Sequence, residues 1–451
     1  MFSQLSAMKK KYSDFVDTLI LGAGLAGMSA AYHLQQQKKD YWLIEKEPLP
    51  GGIARTRSVN GFHFDCGGHY LHLREVWTRD WVRELLQENI FLHSRRAFIR
   101  VADREIPYPF QAHLSHLPPR LKEECIEGFK KRLISKKTPL FKQWIQTVFG
   151  SGIAKYFMEP YNKKLMQSHY GRLTTDWIGK HIPKVSLKDL QNPDRHSWGY
   201  NAEFYYPLRG GIGAFSEALA KTLKNLFLNT SVQRIEPGIL FLQNGHSIHW
   251  KNLISSIPLP TLIQSLSFAP SRIKRLAAGL KSVGIVCVNL GISGNSFAEK
   301  DWIYYPEKEF PFYRIGSYSS VATSMSPDNS TSVYVELPGK SDFFHRNDKE
   351  LLNFLFPYLK KLKLLQKKQD CHALLVDRIK TAYVVYDMHR KIAVPEILEW
   401  LKSQHIHSIG RFGRWQYSSM EQALIEGRDL CLSLGDNEGS GKGTGRICHS
   451  P

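Results

Sequence analysis

Residues 14–45 of the chain are DFVDTLILGAGLAGMSAAYHLQQQKKDYWLIE, and the interpretation of the whole sequence starts from them. The β-branched and aromatic residues 15–21 are typical of a buried parallel strand. A glycine-rich turn ends this strand, and the small residues after it predict a helix that continues to Gln36. A second short strand is predicted at residues 41–44. The order of strand, glycine turn, helix and strand is that of a dinucleotide-binding unit.

Each residue of the GxGxxG turn has a physical role in such a unit. Gly22 permits the tight turn, Gly24 lets backbone N–H groups approach a pyrophosphate, and Gly27 lets the helix lie close to the sheet. The helix N-terminus carries a partial positive charge that favours phosphate. Glu45, at the end of the second strand, is placed to accept hydrogen bonds from an adenosine ribose.

Two other interpretations of this stretch are open at this point. One is a glycine-rich turn in an apolar hairpin, and the other is a membrane span, because residues 15–34 are mostly apolar. The three glycines, the polar Asp17, Ser29 and His33, and the lack of a following stop-transfer pattern argue against a span. The strand before the turn, the helix after it and the acidic residue after the next strand favour a dinucleotide site.

Composition limits the class of protein. A chain of 451 residues suggests two or three domains. The 61 Lys and Arg against 41 Asp and Glu give a formal charge of +20, whose field fits nucleic acid, an anionic membrane surface or a phosphate-bearing substrate. The six cysteines are scattered without a CxxC pair, which indicates neither a disulfide framework nor a zinc site, so no metal is expected. The first 13 residues lack an apolar core of signal-peptide length, and we expect a cytoplasmic protein.

A second glycine motif follows the second strand. It contains Gly51, Gly52 and Arg55 in PLPGGIART, and Gly68 and His69 in GFHFDCGGH. Backbone N–H groups and a guanidinium in such a loop can contact phosphates. The combination resembles the FAD-binding module of the flavoprotein superfamily that includes amine oxidases, protoporphyrinogen oxidase and UDP-galactopyranose mutase. The resemblance implies FAD rather than NAD as the cofactor.

The hexapeptide IPYPFQ, residues 106–111, narrows the resemblance. It resembles the peptide that lies over the uridine of the substrate in the eukaryotic-like group of UDP-galactopyranose mutases. Residues 114–184 have a basic, helical pattern. Within them, MEPYNKK at 158–164 and DWIGKHIP at 176–183 resemble the helical substrate domain of that family. The resemblance covers residues 15–433.

The remaining segments have recognisable patterns. A hairpin and a return strand are predicted within residues 231–257, and strands of one antiparallel sheet within 283–386. For the amphipathic helix at 349–367 a solvated surface helix is favoured over a membrane anchor. A strand within 406–417 and a helix over 419–434 complete the predicted elements.

The implied fold is α/β (α+β overall), with a Rossmann-like FAD-binding domain of glutathione-reductase type, an inserted helical domain and an antiparallel β-sheet domain. The predicted boundaries are 14–98, 201–268 and 391–434 for the FAD-binding domain, 99–200 for the helical substrate domain, 269–390 for the sheet domain, and 1–13 and 435–451 for flexible tails.

The resemblance implies a redox-neutral isomerisation that interconverts UDP-galactopyranose and UDP-galactofuranose, or a related nucleotide sugar. In that family N5 of reduced FAD attacks the anomeric carbon, and UDP leaves and later returns. The implied partners are a nucleotide-sugar substrate and an electron donor such as NAD(P)H, with no nucleic acid and no integral membrane segment. The protein must supply positive charge for the diphosphate and a wall for the uracil.

The resemblance also implies roles for particular residues. Those beside the reacting groups are Arg314, Arg411, His69 and Tyr417. Those that bind substrate are Tyr108, Phe110, Gln111, Tyr161, Asn162, His181, Asn201, Tyr304 and Tyr383. Those that bind the cofactor are Gly22, Gly24, Gly27, Glu45, Gly51, Gly52, Arg55, Gly68, Val232, Gly410 and Met420. A forked guanidinium suits a diphosphate better than lysine does, and a cation beside the isoalloxazine favours the reduced anionic flavin.

Three positions depart from the family pattern. His181 stands where an arginine is expected on the diphosphate, and histidine is mostly neutral near pH 7. Val321 replaces an expected tyrosine, and Ser419 an expected asparagine. A related sugar nucleotide or a changed reaction would explain these differences.

Two alternatives to a mutase remain. A flavin oxidase or desaturase of the amine oxidase or protoporphyrinogen oxidase type would share the FAD module without needing IPYPFQ or Arg314. A non-catalytic binding protein, like the escort proteins of prenylated GTPases, would have no need of the glycine turn, Glu45 and Arg55.

Overall fold

The computed structural model describes residues 15–133, 138–179, 182–191, 202–295, 297 and 299–439. The chain forms two compact units. The first contains the described residues of Met1–Gly52, Leu219–Pro270 and Leu398–Pro451, and the second those of Ile53–Ala218 and Ser271–Ile397. The finer domain boundaries expected from the sequence stay a prediction.

The described strands are β1 Phe15–Leu21, β2 Tyr41–Ile44, β3 Thr56–Val59, β4 Phe62–Asp65, β5 Phe91–Ser94, β6 Ala97–Val101, β7 Arg104–Pro107, β8 Glu203–Tyr206, β9 Leu226–Phe227, β10 Val232–Glu236, β11 Ile239–Leu242, β12 Ser247–Ser255, β13 Ser282–Ser293, β14 Trp302–Tyr304, β15 Arg314–Ser317, β16 Ser330–Pro338, β17 Cys371–Val384 and β18 Ile406–Ser408.

The described α-helices are α1 Leu25–Gln36, α2 Val76–Leu86, α3 Pro119–Lys130, α4 Phe141–Ile153, α5 Glu159–Met166, α6 Leu187–Gln191, α7 Gly213–Lys221, α8 Leu259–Ser265, α9 Ser271–Gly279, α10 Ser341–His345, α11 Asp348–Lys361, α12 Met388–Ser403, α13 Gly410–Gly413 and α14 Met420–Gly439. A π-helical segment, Ala154–Met158, joins α4 to α5. Short 3₁₀ segments lie at Phe110–Ala112, Leu114–His116, Gln167–Arg172, Thr323–Met325 and Lys368–Asp370.

The sheet of the first unit has the order β10-β11-β12-β1-β2-β9, with β18 beside β12. β1 pairs in parallel with β2 and β12, and β18 also runs parallel to β12. β10, β11 and the first half of β12 pair antiparallel. The predicted strand, helix and strand of residues 15–44 are confirmed, as are the hairpin and return strand after residue 231. The alternative of an apolar hairpin is wrong, because β1 and β2 are parallel strands joined by a helix.

Helix α14 packs closely on α1 within the first unit. The Ser29 hydroxyl donates to the Leu424 carbonyl at 2.7 Å, and a Cβ added at Gly427 would lie 2.7 Å from the Ala26 carbonyl oxygen. Small residues on both helices allow this approach. α14 continues to Gly439, five residues beyond the predicted end of the helix.

The sheet of the second unit has the order β17-β13-β16-β15-β14-β6-β7. Adjacent strands of this sheet pair antiparallel, as the sequence predicts, except that β6 pairs with β14 in parallel. A parallel pair requires a long connection, and the whole helical segment lies between these two strands in the chain. The described fold is therefore α/β with one mixed sheet and a separate, mostly antiparallel one.

The helical segment shares a hydrophobic core with this second sheet. Phe129 of α3 and Phe149 of α4 lie in one buried cluster with Ile99 of β6 and Val283 of β13. Helix α11 covers another part of the same sheet through fully buried leucines spaced four residues apart, at positions 351, 355 and 359. The apolar side of α11 is thus buried inside the protein, which supports a surface helix over a membrane anchor. Within the described part of the chain, every helix is too short or too polar to cross a bilayer.

Candidate functional site

The glycine turn of the first unit is tightly packed at two glycines and open at the third. A Cβ added at Gly22 would lie 2.8 Å from the Ser256 hydroxyl, and one at Gly27 would lie 2.1 Å from the Gly22 carbonyl oxygen. A Cβ at Gly24 would meet nothing within 4 Å. The opening therefore lies where the motif is expected to admit a pyrophosphate.

Glu45 and the second glycine pair hold this turn in place. The Glu45 carboxylate accepts hydrogen bonds from the backbone N–H groups of Ala23, at 2.8 Å, and Glu47, at 2.9 Å. Each carboxylate oxygen keeps acceptor capacity for a ribose hydroxyl. The Gly51 N–H donates to the Ala23 carbonyl at 2.7 Å, so the second glycine motif lies directly on the first.

The predicted C-terminal residues come together in the loop between β18 and α14. The Arg411 guanidinium lies 4.9 Å from the ring centre of Tyr417, which is 39% exposed. Gly410 has a φ of +76°, and its N–H donates to the Glu426 carboxylate at 2.7 Å. Met420 begins α14. The loop thus presents a cation and a tyrosine from one short segment of the first unit.

The glycines of the first unit fit a flavin dinucleotide. In the first unit the space at Gly24 is open, and a Cβ at Gly52 would lie only 3.5 Å from the Gly24 Cα, so that two glycines form a smooth backbone surface. Val232 begins β10 and is half-buried.

In the second unit, the Nε of Arg55 is buried and has no hydrogen-bond partner among the described residues. A phosphate oxygen would satisfy this N–H.

Arg314 of the second unit forms a buried ion pair with Glu336. Its Nε lies 2.7 Å from Glu336 Oε2, and its Nη2 lies 2.6 Å from Oε1. The two residues are directly opposite each other on β15 and β16, and the Glu336 side chain is 1% exposed. An anion approaching Arg314 would therefore meet the Nη1 edge of the guanidinium. The sequence did not indicate Glu336, although a single acid in the apolar strand SVYVELP is an available signal.

Tyrosines predicted to bind substrate cluster around this arginine. The ring centres of Tyr108 and Tyr161 lie 5.7 Å and 5.2 Å from that of Tyr304, which is the cross-strand partner of Arg314. Tyr383 interacts electrostatically with both Tyr161 and Arg314. Burial raises the pKa of Tyr161 well above its usual value, so its hydroxyl remains a neutral donor. The structure thus brings Arg314 and four predicted tyrosines into one cluster.

The IPYPFQ peptide is less exposed than its predicted role requires. Phe110 is fully buried against Phe157, at a ring separation of 5.5 Å, and is a core residue here. Gln111 is 1% exposed and donates to the Pro183 carbonyl at 2.6 Å. Asn162 donates to the carbonyl of Met158 in the preceding turn, at 2.7 Å. Of the peptide, Tyr108 is the residue that reaches the tyrosine cluster.

The loop that contains His69 adjoins the ion pair. The Nδ1 of His69 lies 3.2 Å from the Gly67 carbonyl oxygen. A Cβ at Gly67 would lie 3.2 Å from Glu336 Oε1, and one at Gly68 would lie 2.7 Å from the Tyr334 hydroxyl. A side chain at Gly68 would collide with Tyr334, and one at Gly67 would press against the carboxylate that pairs with Arg314. Two other predicted residues, His181 and Asn201, lie outside the described residues.

A buried acidic centre near the second glycine motif was missed by the sequence analysis. Asp65 accepts hydrogen bonds from the hydroxyls of Thr56 and Tyr206, each at 2.6 Å, and from the Ile212 N–H at 3.1 Å. Burial raises the pKa of Asp65 to about 7, although these hydrogen bonds oppose the shift. The centre ties the β3–β4 hairpin, which begins directly after Arg55, to the start of α7.

A mixed sheet with a glycine turn that is open at Gly24, and the Glu45 carboxylate that holds this turn, define a dinucleotide-binding protein. The model of the flavin-containing amine oxidoreductase family matches residues 25–383. The chain therefore belongs to this family, and membership implies FAD as the cofactor.

Three known proteins show what the chain is similar to. A crystal structure of reduced UDP-galactopyranose mutase has a TM-score of 0.86 and 25% sequence identity, and covers 94% of this chain and 96% of that one. An inactive all-trans-retinol 13,14-reductase of Danio rerio is 23% identical over 201 residues, which are 41% of this chain and 30% of that protein. A carotenoid 3,4-desaturase of Haloarcula japonica is 36% identical over 63 residues, 14% of this chain and 13% of that protein. The matched region thus spans less than a third of either curated relative.

Proposed function

We propose that the chain is an FAD-dependent sugar-nucleotide mutase that interconverts UDP-galactopyranose and UDP-galactofuranose, or a related nucleotide sugar. The observation that carries this proposal is the clustering of Tyr108, Tyr161, Tyr304 and Tyr383 around Arg314. The likeness to reduced UDP-galactopyranose mutase over almost the whole chain supports it.

Residues of the two glycine motifs would hold the cofactor: Gly24 and Gly51 at the pyrophosphate, Glu45 at the ribose and Arg55 at a phosphate oxygen. When bound and reduced, FAD supplies a nucleophilic nitrogen, N5, for the anomeric carbon of the sugar. NAD(P)H is the proposed source of its electrons. Arg411 is the proposed cation beside the flavin, and His69 is a further residue proposed to lie there.

Residues of the tyrosine cluster would bind the substrate. The Nη1 edge of Arg314 would donate to a diphosphate oxygen, and this charge-assisted bond would strengthen as UDP leaves. The hydroxyls of Tyr304 and Tyr383 would donate to the same diphosphate. Tyr108 and Tyr161 offer apolar ring surface for the uracil, with Tyr161 kept neutral by its raised pKa.

A flavin oxidase or desaturase is the second candidate, favoured by the match to the carotenoid desaturase. It would transfer a hydride from its substrate and pass electrons onward, so that its flavin would be reduced by substrate under anaerobic conditions. A mutase has no such reaction and binds UDP instead.

Calorimetric titration of the flavin-loaded protein with UDP, in the oxidised and reduced states, tests the proposal. We expect binding in at least one redox state and competition by UDP-, GDP- or dTDP-sugars that reveals the preferred nucleotide. No UDP binding in either state would refute the mutase assignment. A purified protein that is colourless after careful handling would instead favour the non-catalytic binding protein.

A further inference from the structure

Lys164 occupies an unusual position between the helical segment and the second sheet. Its ammonium group lies 2.6 Å, 2.7 Å, 2.8 Å and 3.0 Å from the backbone carbonyl oxygens of Tyr305, Glu307, Phe310 and Phe312. Burial lowers the pKa of Lys164 to about 7, whereas four carbonyl acceptors around the nitrogen favour its charged form. The ammonium has three N–H donors, and the four acceptors share them. One side chain thus holds four carbonyl groups of a single loop, residues 305–313.

The loop held in this way joins the two strands that carry Tyr304 and Arg314. β14 ends at Tyr304 and β15 begins at Arg314, and these two residues are cross-strand partners at the base of the loop. Further backbone bonds at the base run from the Tyr305 N–H to the Tyr313 carbonyl, at 2.9 Å, and from the Tyr313 N–H to the Glu336 carbonyl, at 3.1 Å. A change in the loop would therefore be transmitted directly to the Arg314–Glu336 pair.

Lys164 also lies on the same helix as Tyr161. Residues three apart project from neighbouring positions on one helix face, and the Tyr161 ring lies 5.2 Å from that of Tyr304. α5 thus contacts the hairpin twice, through the Tyr161 ring and through the Lys164 ammonium. The two contacts fix both the distance and the rotation between the helix and the hairpin.

We propose that Lys164 is a positioning residue, which sets the geometry of Tyr161, Tyr304 and Arg314 for the nucleotide by holding residues 305–312 on α5. The inference rests on the proposed function for its ligand. Without the ammonium, four carbonyl oxygens would have to turn to water, and the hairpin base would move with them. Displacements of about 1 Å at a substrate-binding group can cost roughly a hundredfold in activity.

The test compares Lys164→Met with Lys163→Met as a matched control. The neighbouring Lys163 pairs with Glu159 at 2.7 Å on an exposed part of α5, and such a pair contributes little. Hydrogen exchange is measured at the amides of Tyr305 and Tyr313 in the flavin-loaded protein without nucleotide, and UDP affinity is measured by calorimetry. We expect faster exchange at both amides and UDP binding weakened by roughly tenfold to a hundredfold for Lys164→Met, and neither change for Lys163→Met.

An Arg314→Lys background shows whether Lys164 acts through the arginine. In that background, Lys164→Met is expected to cause a much smaller loss of UDP affinity than it does in the wild type. The reason is that both changes affect the same contact, between Arg314 and the nucleotide. Unchanged exchange at Tyr305 and Tyr313, unchanged UDP affinity, or an equal loss in both backgrounds would each overturn the proposal. If the wild type does not bind UDP, the proposed function fails, while the exchange measurement still decides whether Lys164 holds the loop. Should Lys164→Met not fold, Lys164→Gln is measured in the same way.

Discussion

Arg314 has two tasks at the scale of single residues. It neutralises the buried carboxylate of Glu336 through two hydrogen bonds, from Nε and Nη2, and its Nη1 is left for a ligand. Fixing the guanidinium in this way limits its rotation, which suits the proposed contact with a diphosphate in one orientation. The same pairing makes the arginine structurally important, because a buried carboxylate left alone is costly.

Arg314→Ala is therefore expected to lower both stability and UDP affinity. The unpaired Glu336 should reduce the free energy of unfolding by about 3–5 kcal/mol. The lost charge-assisted hydrogen bond should weaken UDP binding by at least about tenfold. Chemical denaturation and calorimetry measure the two effects.

The double change Arg314→Met with Glu336→Gln separates these effects. It removes both charges, so stability should return to near the wild-type value while UDP affinity stays low. Recovery of UDP affinity together with stability would mean that Arg314 has no direct role in binding.

Asp65 gives a second prediction for a single residue. Its pKa of about 7 in the folded protein lies above the ordinary value of 3.8, so the folded state holds a proton that the unfolded state has released. The resulting stabilisation is complete below about pH 4 and is lost as the pH rises through about 7. The pKa difference is equivalent to about 4 kcal/mol.

Asp65→Asn removes this titration. Between pH 4 and pH 8 the wild type should lose stability relative to the variant by on the order of 4 kcal/mol, measured by urea unfolding. The exposed Asp103→Asn is the control and should show no such trend. A stability difference that does not change with pH would show that Asp65 is ionised in the folded protein throughout this range.

The glycine turn between β1 and α1 is an element whose packing predicts opposite effects at two positions. Gly27→Ala places a methyl group 2.1 Å from the Gly22 carbonyl oxygen and should destabilise the protein even without flavin, by about 1–3 kcal/mol. Gly24→Ala meets open space and should change the stability of the flavin-free protein by no more than about 1 kcal/mol. It should nevertheless weaken flavin binding, because the methyl group occupies the pyrophosphate position.

Flavin content after purification and thermal unfolding of the flavin-free protein check this pair. Full flavin retention by Gly24→Ala would mean that the dinucleotide does not approach the turn at this glycine.

Elements with local signals were predictable from the sequence. The glycine spacing and apolar runs of residues 15–44 gave both strands and the helix between them. The parallel pairing of β6 with β14 had no local signal, because the two strands are about 200 residues apart in the chain and nothing in either strand shows its partner. The amphipathic pattern of α11 predicted a helix with one buried face, but not which part of the protein covers it.

The candidate site divides in the same way. Arg314 and its tyrosines were predicted as site residues through a family resemblance that depends on short motifs, and the structure places them near one another. Glu336 and Lys164 were missed because their roles depend on contacts between segments, such as the 148 positions between Lys164 and Phe312. Phe110 was assigned to the substrate because aromatic residues serve equally well in a core and in a binding surface, and its burial shows it in the core.

At the scale of the whole molecule, each of the two compact units carries a different part of the proposed reaction. The first unit carries the glycine turn with its open position, and the second carries the tyrosine cluster with the ion pair. The net charge of +20 suits an anionic substrate such as a nucleotide sugar. A flavin oxidase would use the same first unit but would take a hydride from its substrate onto the flavin. The redox state of the flavin during turnover therefore distinguishes the two functions.

The most direct measurement incubates the flavin-loaded, dithionite-reduced protein anaerobically with UDP-galactofuranose and, in parallel, with a panel of UDP-, GDP- and dTDP-hexoses. Chromatography follows the sugar nucleotides, and absorbance follows the redox state of the flavin. We expect interconversion of the pyranose and furanose forms of at least one sugar nucleotide over many turnovers per flavin, with the flavin still reduced at the end. A fully flavin-loaded and reduced protein that interconverts none of them would contradict the account.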